Sequence, residues 1–194
     1  MSYTPVGWWD DGVHPLSQAN MKTVDAGLIS AHKGWRPITS GALETQATSI
    51  PIDVPAGFSM VRLNVVGRLV ASPSTIGVMF NSASNDHLWF FEELVADGTS
   101  NTFQGVSSSA SVTRWSNVRQ NTMSIQLLTT TGRCSYLSEG SQTSLVAASR
   151  TRCVGSGSLS ADATLSSLTV VSGVNFQTGE GSLGTSWILE GYRA

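Results

Sequence analysis

Histidine is the side chain most often used for proton transfer and metal binding, and this chain of 194 residues has three: His14, His32 and His87. None of them lies in an HExxH motif or at another metal-ligand spacing. One of them ends a polar cluster, Asn85-Asp86-His87. Neighbouring Asp and His side chains point apart on a strand, so the cluster favours a surface loop over a metal or catalytic site.

The carboxylates are dispersed as well. Glu92 and Glu93 are consecutive, and on a strand they face opposite sides, so they do not form an acid–base pair. Glu139 and Glu190 are isolated, and no G-x-S-x-G elbow or Walker motif is present. The sequence therefore predicts no catalytic residue, no metal ligand and no cofactor. An enzyme built from dispersed residues, such as a glycan depolymerase, stays open as an alternative.

The two cysteines, Cys134 and Cys153, each lie in a strand-like run of residues. They lack the CxxC spacing of zinc and redox sites, and two are too few for a disulfide framework. We expect free, buried thiols. The alternative is a bridge between neighbouring strands if the chain meets an oxidising medium.

Three aromatic residues, Trp89, Trp115 and Tyr136, lie near polar or turn-rich positions. Aromatic rings with Asn, Asp or Glu nearby could stack on sugars while the polar groups bind hydroxyls. These three residues are therefore the candidate ligand-binding residues. The alternative for each is packing in the core, where most aromatic residues of a β-sandwich lie.

The N-terminal residues 1–15 contain the adjacent Trp8 and Trp9 beside two aspartates, within an irregular stretch rich in Gly and Pro. Each tryptophan can bury a large apolar area. We expect residues 1–15 to form an attachment tail that inserts Trp8 and Trp9 into another protein. The alternative is that the tail folds back on its own domain.

Residues 16–34 form the one convincing helix pattern in the chain. Ser17 can cap its N-terminus, and Gly34 is a natural stop. A narrow apolar seam runs along it with spacings of 3, 4 and 3: Met21, Val24, Leu28 and Ala31. A helix this short is marginal alone in water, so it needs a partner. We expect a short parallel bundle of identical helices, with packing on its own domain as the alternative.

The remainder of the chain is typical of β structure. Residues 35–48 are expected to be a linker, because Arg36-Pro37 ends a helix and Ser40-Gly41 marks a turn. From residue 49 to residue 194, apolar and polar residues alternate in short runs, with turn signals every 8–15 residues. We therefore predict a mainly β fold, a β-sandwich or jelly roll over 49–194, preceded by one short N-terminal helix.

Charge is scarce in this chain. Charged residues make up 12% of it, and the formal net charge is -2. Both lysines, Lys22 and Lys33, lie in the predicted helix. No basic patch favours nucleic acid, and no apolar run is long enough to span a membrane. So few charges suggest a surface that is buried in an assembly, or one that is covered by Ser, Thr and Asn.

Two stretches resemble tailed-phage virion proteins. Near the C-terminus, Phe176 and Gly179 form an F-x-x-G stretch, and a last strand ends in Gly191-Tyr192. These features are similar to the closing strands of many such proteins. The stretch Pro15-Leu-Ser-Gln-Ala-Asn-Met opens a short amphipathic helix and resembles the start of tail-fibre and head-fibre proteins.

This resemblance implies a structural virion protein that assembles in the host cytoplasm and is commonly a homotrimer. Its N-terminal segment would bind other virion proteins, and a jelly-roll-like β domain would project towards a host surface glycan or protein. A capsid decoration protein that stabilises the shell is the alternative of similar build. Residues 59–158, where receptor specificity would lie, match no motif of the family.

Overall fold

A computed structural model describes residues 34–81, 87–94, 98–117, 120–128, 135–143, 151–159, 164–178 and 184–193. The predicted tail over residues 1–15, with Trp8 and Trp9, lies outside the described residues. So do residues 16–33 of the predicted helix, with the seam residues Met21, Val24, Leu28 and Ala31, and Cys134. These predictions therefore stay predictions.

The described part of the chain is mainly β, which confirms the coarse fold prediction, and it contains twelve strands and no helix. The strands are β1 (Trp35–Ala42), β2 (Ser49–Asp53), β3 (Met60–Gly67), β4 (Ser74–Phe80), β5 (His87–Leu94), β6 (Ser100–Ser107), β7 (Ala110–Trp115), β8 (Gln120–Leu128), β9 (Ser135–Thr143), β10 (Thr151–Leu159), β11 (Ser167–Ser172) and β12 (Ser186–Tyr192). All of them belong to the second of two units into which the chain divides, Trp35–Ala194.

The strands form two antiparallel sheets. The larger sheet has eight strands in the order β1-β12-β3-β8-β9-β10-β5-β6, and the smaller has four in the order β2-β11-β4-β7. The edge strands are therefore β1 and β6 in the larger sheet, and β2 and β7 in the smaller one.

Part of the expected linker, residues 35–48, is instead a strand. Trp35–Ala42 forms β1 and pairs with β12 along its whole length. The Arg36-Pro37 pair does not stop the strand because β1 is an edge, where a proline need not donate a hydrogen bond to a neighbour. Pairing shifts register between Pro37 and Thr39, which leaves Ile38 as an extra, bulged residue.

One hydrophobic cluster contains buried residues of both sheets. In β3 the alternation predicted from sequence holds, because Val61, Leu63 and Val65 are fully buried while Arg62 and Asn64 are partly exposed. The smaller sheet contributes buried side chains from β2, β4, β7 and β11 to the same cluster: Ile50, Ile52, Ile76, Val78, Phe80, Val112, Leu168 and Val170.

Several aromatic rings pack directly on glycines. A Cβ atom at each of these glycines would come closer than 3.0 Å to the ring, so no larger residue fits without movement. The pairs are Gly41 with Trp187, Gly105 with Trp89, Gly157 with Tyr136, and Gly191 with Phe58. These four rings therefore lie close to the sheet because the backbone beneath them carries no side chain.

A buried asparagine fixes the crossover from the smaller sheet to the larger one. Asn121, in β8, is fully buried, and its Oδ1 accepts a hydrogen bond from the backbone N–H of Ser116 at 3.1 Å. Its Nδ2 donates to the carbonyl of Ser116 at 2.9 Å and to that of Gly67 at 3.2 Å. One side chain thus ties the residue that follows β7 to β8 and to β3.

We expect Asn121→Ala to lower the free energy of unfolding by about 2–4 kcal/mol, because buried backbone groups would lose their partner. Urea denaturation measures this change. Ser124→Ala, on the outward face of the same strand, is the matched control and should stay within about 0.5 kcal/mol of wild type. Equal stability of the two variants would contradict the role assigned to Asn121.

Candidate functional site

The outward face of the larger sheet carries large apolar side chains on β8, β9, β10, β5 and β6. The strand register brings them together, since Ser156 lies between Leu137 and Phe90, and Ser158 lies opposite Leu88, which itself pairs with Val106. We call this region the outer apolar surface, and its seven residues are 40 to 67% exposed: Leu88, Phe90, Leu94, Val106, Leu128, Leu137 and Val154.

Most of the exposed large apolar side chains in the described part of the chain lie on this surface. Among the described residues, one further large hydrophobic side chain is comparably exposed, Val70 at 39%. The seven residues together present on the order of 500 Å² of apolar area, and contiguous patches of that size commonly mark an interaction site. The outer apolar surface is therefore a candidate contact surface for another molecule.

A shallow depression of about 530 Å³ crosses the outer apolar surface over β10, β5 and β6. By register, Leu88 and Val106 lie on one side of it and Phe90 on the other. Gly105 and Gly157 lie between the two sides, and the Cβ atom that each lacks would point to the inner face, towards Trp89 and Tyr136.

A second groove, of about 430 Å³, lies beside the edge strands β1 and β2. Its lining combines aliphatic residues and prolines with one indole, one carboxylate residue and one hydroxyl residue: Ile38, Thr39, Pro51, Ile52, Asp53, Pro55 and Trp187. Because a regular strand points consecutive side chains to opposite faces, the bulge at Ile38 explains how both Ile38 and Thr39 line the same groove.

Two of the three candidate ligand-binding residues lie in the core. Trp115 is fully buried and packs edge-on against Phe176, with ring centroids 5.9 Å apart. Tyr136 is 3% exposed, and its ring centroid lies 5.6 Å from that of Phe80. The alternation of their strands points both side chains into the core, so neither reaches a surface where a ligand could bind. Both residues have a packing role, which was the alternative to ligand binding.

Trp89 differs from these two because its side chain is partly exposed, but the alternation of β5 places it on the inner face with Phe91, opposite to Leu88 and Phe90. Its Nε1 donates a hydrogen bond to the hydroxyl of Ser107 at 2.9 Å, and its ring stacks on Phe91. The indole N–H is thus used within the sheet, and the ring packs against the hydrophobic cluster, so Trp89 does not present its ring on the outer apolar surface.

His87 is not in a surface loop, because it begins β5 and is fully buried. Its Nε2 accepts a hydrogen bond from the backbone N–H of Phe80 at 3.1 Å, and its Nδ1 lies 3.2 Å from the carbonyl of Ser107. Both nitrogens are thereby used to join β5 to β4 and β6, which is a structural role. Asn85 and Asp86 lie outside the described residues.

Cys153 is a free and buried cysteine, as expected. Burial raises the pKa of its thiol above the ordinary value, and a hydrogen bond with Thr113 opposes that shift. Within the ranges that the structure describes, no group of three or more His, Cys, Asp or Glu side chains is placed to hold a metal ion. In that same part of the chain, no helix is long and apolar enough to cross a membrane.

Comparisons of the chain with protein-family models, with curated proteins and with solved structures found no match. The case for a function therefore comes from the surfaces of the molecule itself.

Sequence reasoning missed both surfaces. For the outer apolar surface a signal was present in the run LWFFEEL, where apolar residues occupy consecutive positions: Leu88, Trp89, Phe90 and Phe91. In a strand such a run makes both faces apolar, so one face is left without the cover of the core. The groove beside β1 and β2 had no comparable signal, because its residues come from three separate parts of the chain.

The burial of Tyr136 makes the stability of the fold depend on pH in the alkaline range. Loss of hydration raises the pKa of its phenol above the ordinary value of 10.0, so the native state favours the neutral form. In the unfolded chain the phenol ionises above about pH 10, so this residue lowers stability as the pH rises past that value. Below pH 10 the phenol is neutral in both states, and the effect vanishes.

We therefore expect Tyr136→Phe to lose less stability than wild type between pH 7 and about pH 11. At pH 7 the two proteins should agree within about 1 kcal/mol, because the hydroxyl has no hydrogen-bond partner among the described residues. Denaturant unfolding at both pH values measures this. A loss of more than about 2 kcal/mol at pH 7 would mean that the hydroxyl is bonded in the native state.

Proposed function

We propose that this chain is a structural protein that works as a homo-oligomer, a virion appendage of the tailed-phage kind such as a homotrimeric fibre or receptor-binding protein. The observation that carries the proposal is the outer apolar surface. A sheet with one apolar face on the core and apolar side chains on its other face needs a partner for the second face.

We also propose that the two sheets pack face to face as a β-sandwich or jelly roll. A β-sandwich or jelly roll is supported by the single hydrophobic cluster that the inner faces of both sheets share. In such an arrangement the smaller sheet covers one face of the larger sheet only. The opposite face is then available for assembly.

The partner we propose for the outer apolar surface is a second copy of the same chain. The seven residues of the surface are uncharged, but Glu92 and Glu139 lie beside Val154 by register, so two copies must pack with these carboxylates apart to avoid like-charge repulsion. With the polar residues around it, the surface approaches the roughly 800 Å² per partner of a standard interface. Helices over residues 16–34, if bundled, would hold the copies together and strengthen this contact through high local concentration.

The remaining parts of the proposal concern attachment and targets. Residues 1–15, with Trp8 and Trp9, bind other virion proteins, and the β domain faces a host surface glycan or protein.

A capsid decoration protein is the second candidate, because it would use the same oligomer without a host ligand. If free protein blocks adsorption of the phage to its host, the appendage is favoured, and if it does not block at saturating dose, the decoration protein is favoured.

The double variant Leu137→Asn, Val154→Ser tests the outer apolar surface, since it makes two exposed side chains polar without touching the core. We expect wild type to have a native mass near three times 20.5 kDa by light scattering, and the variant to dissociate at least tenfold more readily. Val70→Ser is the matched control, because Val70 is about as exposed as Val154 and lies off this surface, and it should keep the wild-type mass. A monomeric wild type would overturn the proposal.

The predicted helical seam needs its own variant. We expect Leu28→Asp to shift the mass distribution towards monomer, because a carboxylate in an apolar helix contact is costly to bury. An unchanged mass would remove the seam from the interface and leave assembly to the β domain. Unchanged masses in both this variant and the double variant would contradict the two interfaces proposed here.

A further inference from the structure

The groove beside β1 and β2 has the form of a small-molecule site. Its volume of about 430 Å³ falls in the range of roughly 300–1,000 Å³ that is typical of ligand pockets. Two of its lining residues are prolines, Pro51 and Pro55, whose fixed backbone angles stiffen that wall.

The segment that joins the two edge strands is held in place by the backbone. The N–H of Leu43 donates to the carbonyl of Thr185, and the N–H of Phe176 donates to the carbonyl of Ala47, both at 2.9 Å. The strands on either side of the groove therefore keep a fixed separation, and a ligand would meet a preformed site.

Trp187 supplies the aromatic surface of this groove. Its ring packs on Gly41 of the edge strand β1, where a Cβ atom would collide with it, and the side chain is partly exposed. Among the described residues its Nε1 makes no hydrogen bond, in contrast to the indole of Trp89. The N–H and the exposed part of the ring are thus available to a ligand, while the rest of the ring packs on Gly41 and the hydrophobic cluster.

Two polar residues share the lining with Trp187. Asp53 ends β2 and Thr39 follows the bulge in β1, and both are exposed. Neither side chain has a hydrogen-bond or ion-pair partner among the described residues. The groove is therefore lined by residues that carry an indole, a carboxylate and a hydroxyl, with aliphatic residues and prolines around them. By the alternation of β2, the Asp53 side chain lies on the face opposite to buried Ile52, at the outer rim of the groove.

We propose that this groove binds a neutral hexopyranose, as one or two units of a glycan. The apolar C–H face of a pyranose ring packs on an indole, and its hydroxyls can donate to Asp53 and accept from the Trp187 N–H. The carboxylate of Asp53 has no cationic partner in the described part of the chain, so it disfavours acidic sugars. The inference rests on the proposed function for its biological setting, and it names the ligand class and the site.

The full-length protein is titrated by calorimetry with the methyl glycosides of glucose, galactose, mannose and N-acetylglucosamine. We expect saturable binding of at least one of them, with a Kd on the order of 1 mM, as is common for a single small polar ligand. N-acetylneuraminic acid should bind more weakly than the best neutral sugar. Absence of saturable binding of all four up to about 50 mM would overturn the proposal.

Three variants locate the binding. Asp53→Asn removes the charge of an exposed residue and should weaken binding about fivefold or more, because hydrogen bonds to a charged group are the stronger ones. Trp187→Phe keeps a ring but removes the N–H, and it should also weaken binding. Glu92→Gln, on the outward face of β5, is the matched control and should bind as wild type does.

Equal affinity of wild type and Asp53→Asn would overturn the site even if a sugar binds. Weakening by Glu92→Gln would place the sugar on the outer apolar surface and would also overturn it. If Trp187→Phe does not fold, Asp53→Asn and its control decide the question. If the protein is monomeric and binds sugar, the sugar site is supported and the proposed oligomer is contradicted. If the protein is an oligomer and binds no sugar, the oligomer is supported and the sugar site is contradicted.

Discussion

Alternate residues of a β-strand point to opposite faces, and this constraint governs the whole domain. In the larger sheet one set of alternate residues, exemplified by Leu63, Ile125 and Leu189, lies in the hydrophobic cluster shared with the smaller sheet. When one set of alternate residues is buried in the core, the other set must lie on the outward face. A shift of the strand register by one residue would exchange the two sets. The character of the outward face is therefore a separate property of the sequence, and it is where function must be sought.

The outward face has two halves of different chemistry. On β1, β12 and β3 it is polar and internally paired, because Glu190 accepts hydrogen bonds from Arg62 at 2.8 Å and from Asn64 at 3.1 Å, while the Arg62 guanidinium lies 4.6 Å from the ring centre of Trp35. On β8, β9, β10, β5 and β6 it carries the seven exposed apolar side chains, with Glu92 and Glu139 beside Val154. A partner that covers the apolar half would leave the edge strands β1 and β2 accessible, so assembly and ligand binding can take place on separate parts of one domain.

Alternation alone was enough to anticipate a mainly β chain and the inward face of β3. Alternation did not predict features that depend on contacts between residues distant in sequence. Proline at position 37 indicates a break only until β1 is known to be an edge strand. The burial of Trp115 and Tyr136 depends on which face of each strand joins the hydrophobic cluster, and that is not a local property of the sequence. The groove joins Thr39, Asp53 and Trp187 through the meeting of two sheet edges and a bulge, and no local pattern in the chain encodes that meeting.

The packing of aromatic rings on glycines has a consequence for how such a domain can change over generations. Gly105 and Trp89, or Gly157 and Tyr136, occupy one shared volume, so a side chain at either glycine requires a smaller residue in place of the ring. A single substitution at one member leaves either a collision or a void, and each carries a cost in the core. The two positions of each pair are therefore expected to coevolve. In related sequences both would be retained, or a larger residue at the glycine position would be accompanied by a smaller residue at the ring position.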